Sequence, residues 1–302
     1  MSNLHIVTVA THKDGYFDYL VESCKRYGND LKVLGYGEKW QGFNWKFKLV
    51  LDYLKSLNKN DIVCFVDGYD VLCTRNLNEL SNEFIRLREK YNCKIIVGED
   101  KMVFDKFNIS EHILSMSVKY TYGTCENNSI NTGTYIGYVY DLLNILEKIY
   151  NLSPYNNADD QVLFTKYCKL NNKDIHIDID SELFLTIVKR FQNIDKYVIF
   201  KDNKLSYNNN FPFFIHVPGE TYLDNIIIKL GYNYDYYDKI SNKLLKKSYQ
   251  KLYFNVSNNI YIKISIGIII IIILYAILYY IFNKKIKLLF NSKKLSKIKI
   301  KK

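Results

Sequence analysis

Three groups of residues in this chain have the types and spacing that chemistry needs. The first is Asp67-Gly68-Tyr69-Asp70, two carboxylates three residues apart behind the apolar run Ile62–Val66. Carboxylates are hard oxygen ligands suited to Mg²⁺ or Mn²⁺. An ion held by them could bridge a diphosphate and offset the charge of a departing nucleotide. An Asp-Gly turn with Asp67 capping and Asp70 solvated fits the same residues. The second is His216, which ends the apolar run FPFFIHV before Pro218-Gly219. Imidazole often completes a metal site begun by two carboxylates, although a histidine at a strand end can be purely structural. The third is Asp159-Asp160-Gln161 after the polar loop Asn156-Asn157. Acids there can cap a helix and meet its dipole, or can be aimed at a sugar hydroxyl. Asn131-Thr132-Gly133 reads as a turn or a sugar-binding corner ahead of TYIGY. Trp40, following Gly35-Tyr36-Gly37, could stack an indole on a base or a sugar.

The elements that must position these residues alternate along the chain. His5–Ala10 reads as a strand, and Tyr16, Tyr19, Leu20, Ser23 and Tyr27 recur at helical spacing. Strands are expected at Leu31–Leu34, Ile62–Val66, Lys94–Val97, Tyr135–Val139 and Phe213–Val217. Helices are expected at Trp45–Leu57, Leu77–Lys90, Leu142–Ile149 and Asp160–Lys169. This β-α alternation predicts a Rossmann-like, mostly parallel sheet with flanking helices. Such sheets bind ligands beyond the carboxyl ends of their strands, which is where Asp67 and Asp70 fall.

The chain has 302 residues, 48% hydrophobic and 24% charged, enough for a real core and too apolar for a disordered chain. From Asn283 onward there are nine lysines and no acid; removing them from the net +11 leaves only +2 for the rest. The near-neutral folded part argues against nucleic acid as a partner.

Ile264–Phe282 has 19 residues without charge or proline. As a helix it would cover about 28 Å, the thickness of a bilayer core. It is followed by Lys284, Lys285 and Lys287. The expected organisation is therefore a catalytic domain over 1–231, a Tyr/Lys/Asn-rich stalk over 232–263, a single-pass C-terminal anchor over 264–282 and a polybasic tail over 283–302. The positive-inside rule keeps the tail cytosolic and would put the domain in a lumen. The N-terminal run MSNLHIVTVATHK offers no leader-like signal, and a cytosol-facing domain is preferred on that basis. None of the six cysteines forms a CxxC pair, which argues against a zinc cluster, and a reducing setting is the default. Cys64 is expected to pack as a small hydrophobe. The triplets at Asn108, Asn127 and Asn255 resemble glycosylation sequons, but an Asn-rich chain generates these by chance.

Read together and in order, IVTVAT, LGYGEKW, CFVDGYDVL, NTGTYIGY, ADDQVLF and FIHVPG resemble the glycosyltransferase domain of the procollagen lysyl hydroxylases, the PLOD family. The similarity covers roughly Leu4 to Tyr222; the hydroxylase half of those proteins has no counterpart in it. The resemblance implies a GT-A fold, Mn²⁺, a UDP-sugar donor and hydroxylysine of collagen-like protein as acceptor. It implies that Asp67, Asp70 and His216 hold the metal. Val9, Ala10, Thr11, Trp40 and Tyr69 would line the uridine side. Lys46 would approach the donor phosphates, with Gly219 in the loop after the histidine. Asp159, Asp160, Gln161 and Asn131, with Gly133, would flank the transferred sugar, Asp160 positioning the acceptor or stabilising an oxocarbenium-like centre.

The chain also departs from the family. The family reads Gly-Asn-Gly-Pro-Thr-Lys after the histidine and uses that lysine on the diphosphate, whereas Tyr222 stands there in this chain. Asn44 replaces an acid, and Lys101-Met102-Val103-Phe104 replaces a Cys-Trp-Pro segment. The expected function is a membrane-anchored, metal-dependent hexosyltransferase. The alternatives are a catalytically silent binding or scaffold module of the same fold, and a phosphatase or nucleotidyltransferase built on Asp67.

Overall fold

A computed structural model describes residues 2–102, 109–153, 155, 158–189, 191–201, 204–219, 221–234, 240–241 and 260–299. The loop residues Asn156 and Asn157, Val103 and Phe104, Glu220, the triplets' Asn108 and Asn255, most of the expected stalk and the last three tail residues lie outside them. The chain divides into two compact units, Met1–Lys243 and Leu244–Lys302.

The first unit opens with β1 (Leu4–Val9), α1 (Phe17–Arg26), β2 (Leu31–Leu34), α2 (Phe43–Leu54) and β3 (Ile62–Val66). Next come β4 (Val71–Cys73), α3 (Leu80–Tyr91), β5 (Ile95–Glu99), β6 (Lys101–Met102) and α4 (Ile109–Tyr122). Then follow β7 (Ile130–Tyr138), α5 (Val139–Tyr150), α6 (Asp160–Leu170), β8 (Ile175–Asp178) and β9 (Phe184–Val188). The hairpin β10 (Ile199–Lys201) and β11 (Lys204–Ser206), β12 (Phe214–His216) and α7 (Asp224–Lys229) complete the unit.

Six strands form the central sheet in the order β2-β1-β3-β7-β5-β8. The pairs β1–β2, β1–β3 and β5–β8 are parallel, and β7 alone runs antiparallel to both its neighbours. The mostly parallel α/β sheet expected from the alternation is what forms. Its strands read as continuous apolar runs because both faces are covered. In β3, Val63 and Phe65 enter a core shared with α2, α5 and α6, while Ile62, Cys64 and Val66 enter one shared with α1 and α3. Each such large side chain contributes about 1.5–3 kcal/mol when fully buried. Cys64 is fully buried among them, as expected of a small hydrophobe.

A second sheet, in the order β4-β12-β9-β6, packs beside the first. β12 pairs antiparallel with β4, setting His216 opposite Val71, and parallel with β9. The chain passes from one sheet to the other between β3 and β4, so the Asp67–Asp70 turn sits at the seam.

Several boundaries differ from expectation. β7 begins at Ile130, so Asn131-Thr132-Gly133 lies inside a strand and is not a turn. Val139 opens α5 instead of ending a strand. The strands β4, β6 and β8 to β11 and the helices α4 and α7 were not foreseen, most of them being too short for a periodic signal. Cys125 and Cys168 form a disulfide, against the reducing default; with no CxxC spacing, nothing local marked the pair.

In the second unit, α8 spans Ile260–Lys299. Its segment Lys263–Lys284, 22 residues with mean hydropathy 2.7, is long and apolar enough to cross a membrane.

Candidate active site

The turn after β3 is held at four points. The Asp67 amide donates to the Gly133 carbonyl of β7 at 2.7 Å, and the Tyr16 amide donates to the Tyr69 carbonyl at 2.7 Å. The Val217 amide donates to the Asp70 carbonyl at 2.9 Å. The Thr11 amide donates to the Tyr69 hydroxyl at 3.0 Å. Gly15, at φ +51°, is required here, because a Cβ would lie 2.4 Å from the Tyr69 carbonyl oxygen. These ties leave the two aspartate side chains pointing away from the core at the carboxyl end of the sheet.

His216 reaches them from the other sheet. Its register opposite Val71 puts the ring beside Asp70, with Nε2 at 3.3 Å from Asp70 Oδ1 and 3.9 Å from Asp67 Oδ2. One ligand-type atom from each of Asp67, Asp70 and His216 falls within 4.8 Å of the others. The imidazole is 1% exposed, and neither ring nitrogen has a hydrogen-bond partner among the described residues. An unsatisfied buried polar group is costly, about 1–3 kcal/mol, and a divalent ion held by this imidazole and two carboxylates would satisfy it. The donor set of two carboxylates and one imidazole fits Mn²⁺ or Mg²⁺. Burial opposes protonation of His216, but Asp70 and Asp67 outweigh it and raise the ring's pKa.

Gly133 closes the cradle. A Cβ there would stand 2.2 Å from His216 Cε1 and 2.6 Å from Asp67 Oδ2. Only glycine lets β7 approach both groups, a requirement of packing rather than of backbone angle.

Lys46, on α2, is 5% exposed and spans two acids, 3.1 Å from Asp67 Oδ1 and 2.6 Å from Asp160 Oδ2. Burial would lower its pKa, yet Asp160 and Asp67 more than compensate and keep the ammonium charged. The lysine expected to approach phosphates is thus already paired with Asp67 and Asp160. Asp159 and Asp160 take different roles. Asp159 is the N-cap of α6, its carboxylate accepting from the Val162 amide at 3.0 Å, which accounts for its place in the sequence by the capping reading. Asp160 faces Lys46.

Gln161 and Asn131 both donate to Asp100, which the motif reading did not single out. Asn131 Nδ2 lies 2.7 Å from Asp100 Oδ1, and Gln161 Nε2 lies 2.8 Å from Asp100 Oδ2. Asn131 Oδ1 in turn accepts from the Gly133 amide at 2.9 Å. Burial pushes the Asp100 carboxyl up in spite of the two amide donors. A carboxylate two residues after Gly98 at a strand end was the only available signal.

On the proposed nucleotide side, Val9 and Ala10 are buried at the end of β1, and Thr11 is tied to Tyr69. Trp40 is 44% exposed and packs edge-on against Phe43 and Trp45. Gly219 is exposed with φ +68°. Tyr222 is 1% exposed, so the position that holds the family's lysine is filled here by a core residue.

The chain matches the profile of the family described as the PLOD GT domain over residues 1–243. It is 26% identical over 208 residues to the multifunctional procollagen lysine hydroxylase and glycosyltransferase of Caenorhabditis elegans. That alignment covers 65% of this chain and 26% of the relative. It is 28% identical over 196 residues to the procollagen-lysine,2-oxoglutarate 5-dioxygenase of Drosophila melanogaster, covering 60% of this chain and 25% of the relative. It is 26% identical over 225 residues to procollagen-lysine,2-oxoglutarate 5-dioxygenase 2 of Homo sapiens, covering 69% and 28% respectively. The chain therefore spans about a quarter of the length of these relatives. Among solved structures, a glycosyltransferase involved in glycosylation of the major capsid of PBCV-1 aligns with TM-score 0.44 and 13% identity, over 72% of this chain and 93% of that one. With the family profile matched over most of its length and the fold's seam carrying the acidic turn and the histidine, this chain belongs to the PLOD glycosyltransferase-domain family.

Proposed function

We propose that this protein is a membrane-anchored, metal-dependent glycosyltransferase that moves a hexose from a UDP-sugar, UDP-glucose or UDP-galactose, to a protein acceptor such as hydroxylysine of a collagen-like chain. The observation that carries the reading is the convergence of Asp67, Asp70 and His216 within 4.8 Å, with the ring nitrogens of His216 unsatisfied. Asp67, Asp70 and His216 would hold Mn²⁺ or Mg²⁺, and a bound ion supplies positive charge against the diphosphate leaving group.

The chain's own residues supply the rest. The four ties on the 67–70 turn fix the acids before substrate arrives, so little reorganisation is left for the reacting complex. Lys46 neutralises part of the acidic charge that would otherwise repel a diphosphate. Val9, Ala10, Thr11, Tyr69 and Trp40 form the wall offered to uridine. Asp160, restrained by Lys46, faces the place of the transferred sugar; Asn131 and Gln161, locked by Asp100, flank it. Asp159 acts by starting α6 in the right place. A cavity of about 290 Å³ opens beside Asp100, lined by Glu99, Lys119, Ser129 and Tyr207 among others, and is the space we assign to the acceptor.

The burial of Tyr222 in place of a phosphate-contacting lysine favours a second reading, a silent module of the same fold. The two separate in one experiment on the detergent-solubilised chain. A ligand that binds only the folded state at a hundred times its Kd stabilises by about 2.7 kcal/mol, or about 5–10 °C in Tm for a domain of this size. UDP with Mn²⁺ should produce such a shift, and UDP-hexose should turn over on a hydroxylysine-containing collagen-like peptide until a chelator is added. No metal-dependent shift and no transfer would leave the silent module. Hydrolysis of phosphomonoesters without a sugar nucleotide would replace both readings.

A further inference from the structure

Two features remote from the site concern the membrane, and they agree. The first is the disulfide joining Cys125 and Cys168, 43 residues apart. It ties the turn before β7 to the last turn of α6, and both cysteines are buried in the core. Structural disulfides persist in oxidising compartments and are rare in the cytosol, where thiols are kept reduced. The second is the charge around the span Lys263–Lys284. Counting the boundary lysine on each side, residues 243–263 carry five lysines and no acid, whereas Asn283 to Lys302 carry nine and no acid. Orientation follows the lysine and arginine count within about 15–20 residues of the span, and the richer side stays in the cytosol. The tail is therefore the cytosolic end. A single crossing puts everything before the span on the opposite side, which is where a disulfide endures.

We infer that the chain crosses its membrane once, with the glycosyltransferase domain on the oxidising, non-cytosolic face and the lysine tail in the cytosol. This reverses the cytosol-facing preference drawn from the N-terminal residues. Closing the bridge removes two electrons and two protons from the thiols of Cys125 and Cys168. A disulfide-bearing oxidoreductase on that face accepts them by exchange. One cysteine thiolate attacks the carrier disulfide to give a mixed disulfide. The other displaces the carrier as its dithiol. On the proposed reading of the site, acceptors are then limited to chains that reach the same face. The charged UDP-sugar must also be delivered there by a transport step across the membrane.

The test uses the full chain with an epitope placed after Lys302, expressed in eukaryotic cells and recovered in sealed microsomes whose cytosolic face is outward. Added protease should remove the epitope and leave a protected fragment that keeps the whole Met1–Lys243 unit. Detergent should make that fragment digestible. After denaturation, alkylation without reductant should label four cysteines, and with reductant six. Digestion of the domain in sealed vesicles with the epitope intact would overturn the inference. So would six alkylated cysteines without reductant. Neither readout needs enzyme activity, so a chain that proved catalytically silent would still decide the topology.

Discussion

Asp100 and Asp178 lie at the ends of β5 and β8 and Asp67 and Asp70 follow β3, and the two pairs are satisfied in opposite ways. Asp178 accepts three backbone amides, those of Glu182, Leu183 and Phe184, each at 2.8 Å. Asp100 accepts the side-chain amides of Asn131 and Gln161. Asp67 and Asp70 instead face an imidazole whose nitrogens have no hydrogen-bond partner among the described residues, and Asp67 shares a lysine with Asp160. Acids with both oxygens accepting from the protein's own amides are scaffold. Acids gathered around an unsatisfied ring leave coordination positions for something else. The difference lies in what surrounds each carboxylate, since the residue type is the same.

The largest effect should come from the unsatisfied pair. Asp67→Ala or Asp70→Ala should reduce hexose transfer by at least about 10²–10³-fold, the scale of losing one charge-stabilising group in an active site. The fold should remain, since neither side chain is part of the core. Full turnover in either variant would remove the division between scaffold and ligand acids.

Gly133→Ala should come next. The added methyl would displace His216 or Asp67, so metal-dependent stabilisation by UDP should fall together with transfer. A variant with unchanged Mn²⁺ titration would mean that β7 shifts freely, and that the cradle is less constrained than its contacts imply.

Asp100→Asn replaces an acceptor of two amides with a group that must itself donate. Loss of supporting hydrogen bonds around a site typically costs about 10–100-fold. We expect a loss in that range in kcat, with Mn²⁺ affinity preserved because none of Asp67, Asp70 and His216 is touched. Equal losses in both would move Asp100 to the other side of the comparison.

The smallest effect belongs to Asp178. Burial pushes its carboxyl up to about 6, from an ordinary 3.8. The native state therefore holds this proton more tightly than the unfolded chain. Its stabilising contribution is complete below pH 3.8 and is lost as pH rises through about 6. Two-odd pH units correspond to about 3 kcal/mol. Denaturant unfolding of the wild type and of Asp178→Asn between these pH values should differ in slope, the variant being flatter.

Much of the central sheet was legible because its strands are continuous apolar runs and its helices are long and amphipathic. The acid turn was legible from its place behind Ile62–Val66. The residue types alone raised His216 as a partner for Asp67 and Asp70 beside a structural reading, and the family resemblance was needed to choose between them, because the contact depends on β12 pairing with β4, a three-residue strand with no periodic signal. Asn131-Thr132-Gly133 reads as a turn or a sugar-binding corner because its composition is turn-like; the tertiary demand that Gly133 approach His216 from within β7 overrides that propensity. Asp100 was passed over because a lone acid at a strand end has no distinguishing spacing. The disulfide escaped for a related reason: its cysteines are brought together by the packing of α6 against β7, a long-range event.

The Tyr69 hydroxyl has a consequence beyond stiffening the turn. It receives the Thr11 amide, so the segment bearing the acids and the segment offered to uridine move as one body. Whatever ion occupancy does to the first is felt by the second, and thermodynamic reciprocity requires the influence to run equally in both directions. Under the proposed function, nucleotide and cation should each tighten the grip on the other, and cutting the phenol with Tyr69→Phe should weaken that mutual dependence without abolishing it, because the ion still acts directly on the diphosphate; unchanged coupling in titrations of one against the other would show that the phenol carries none of it.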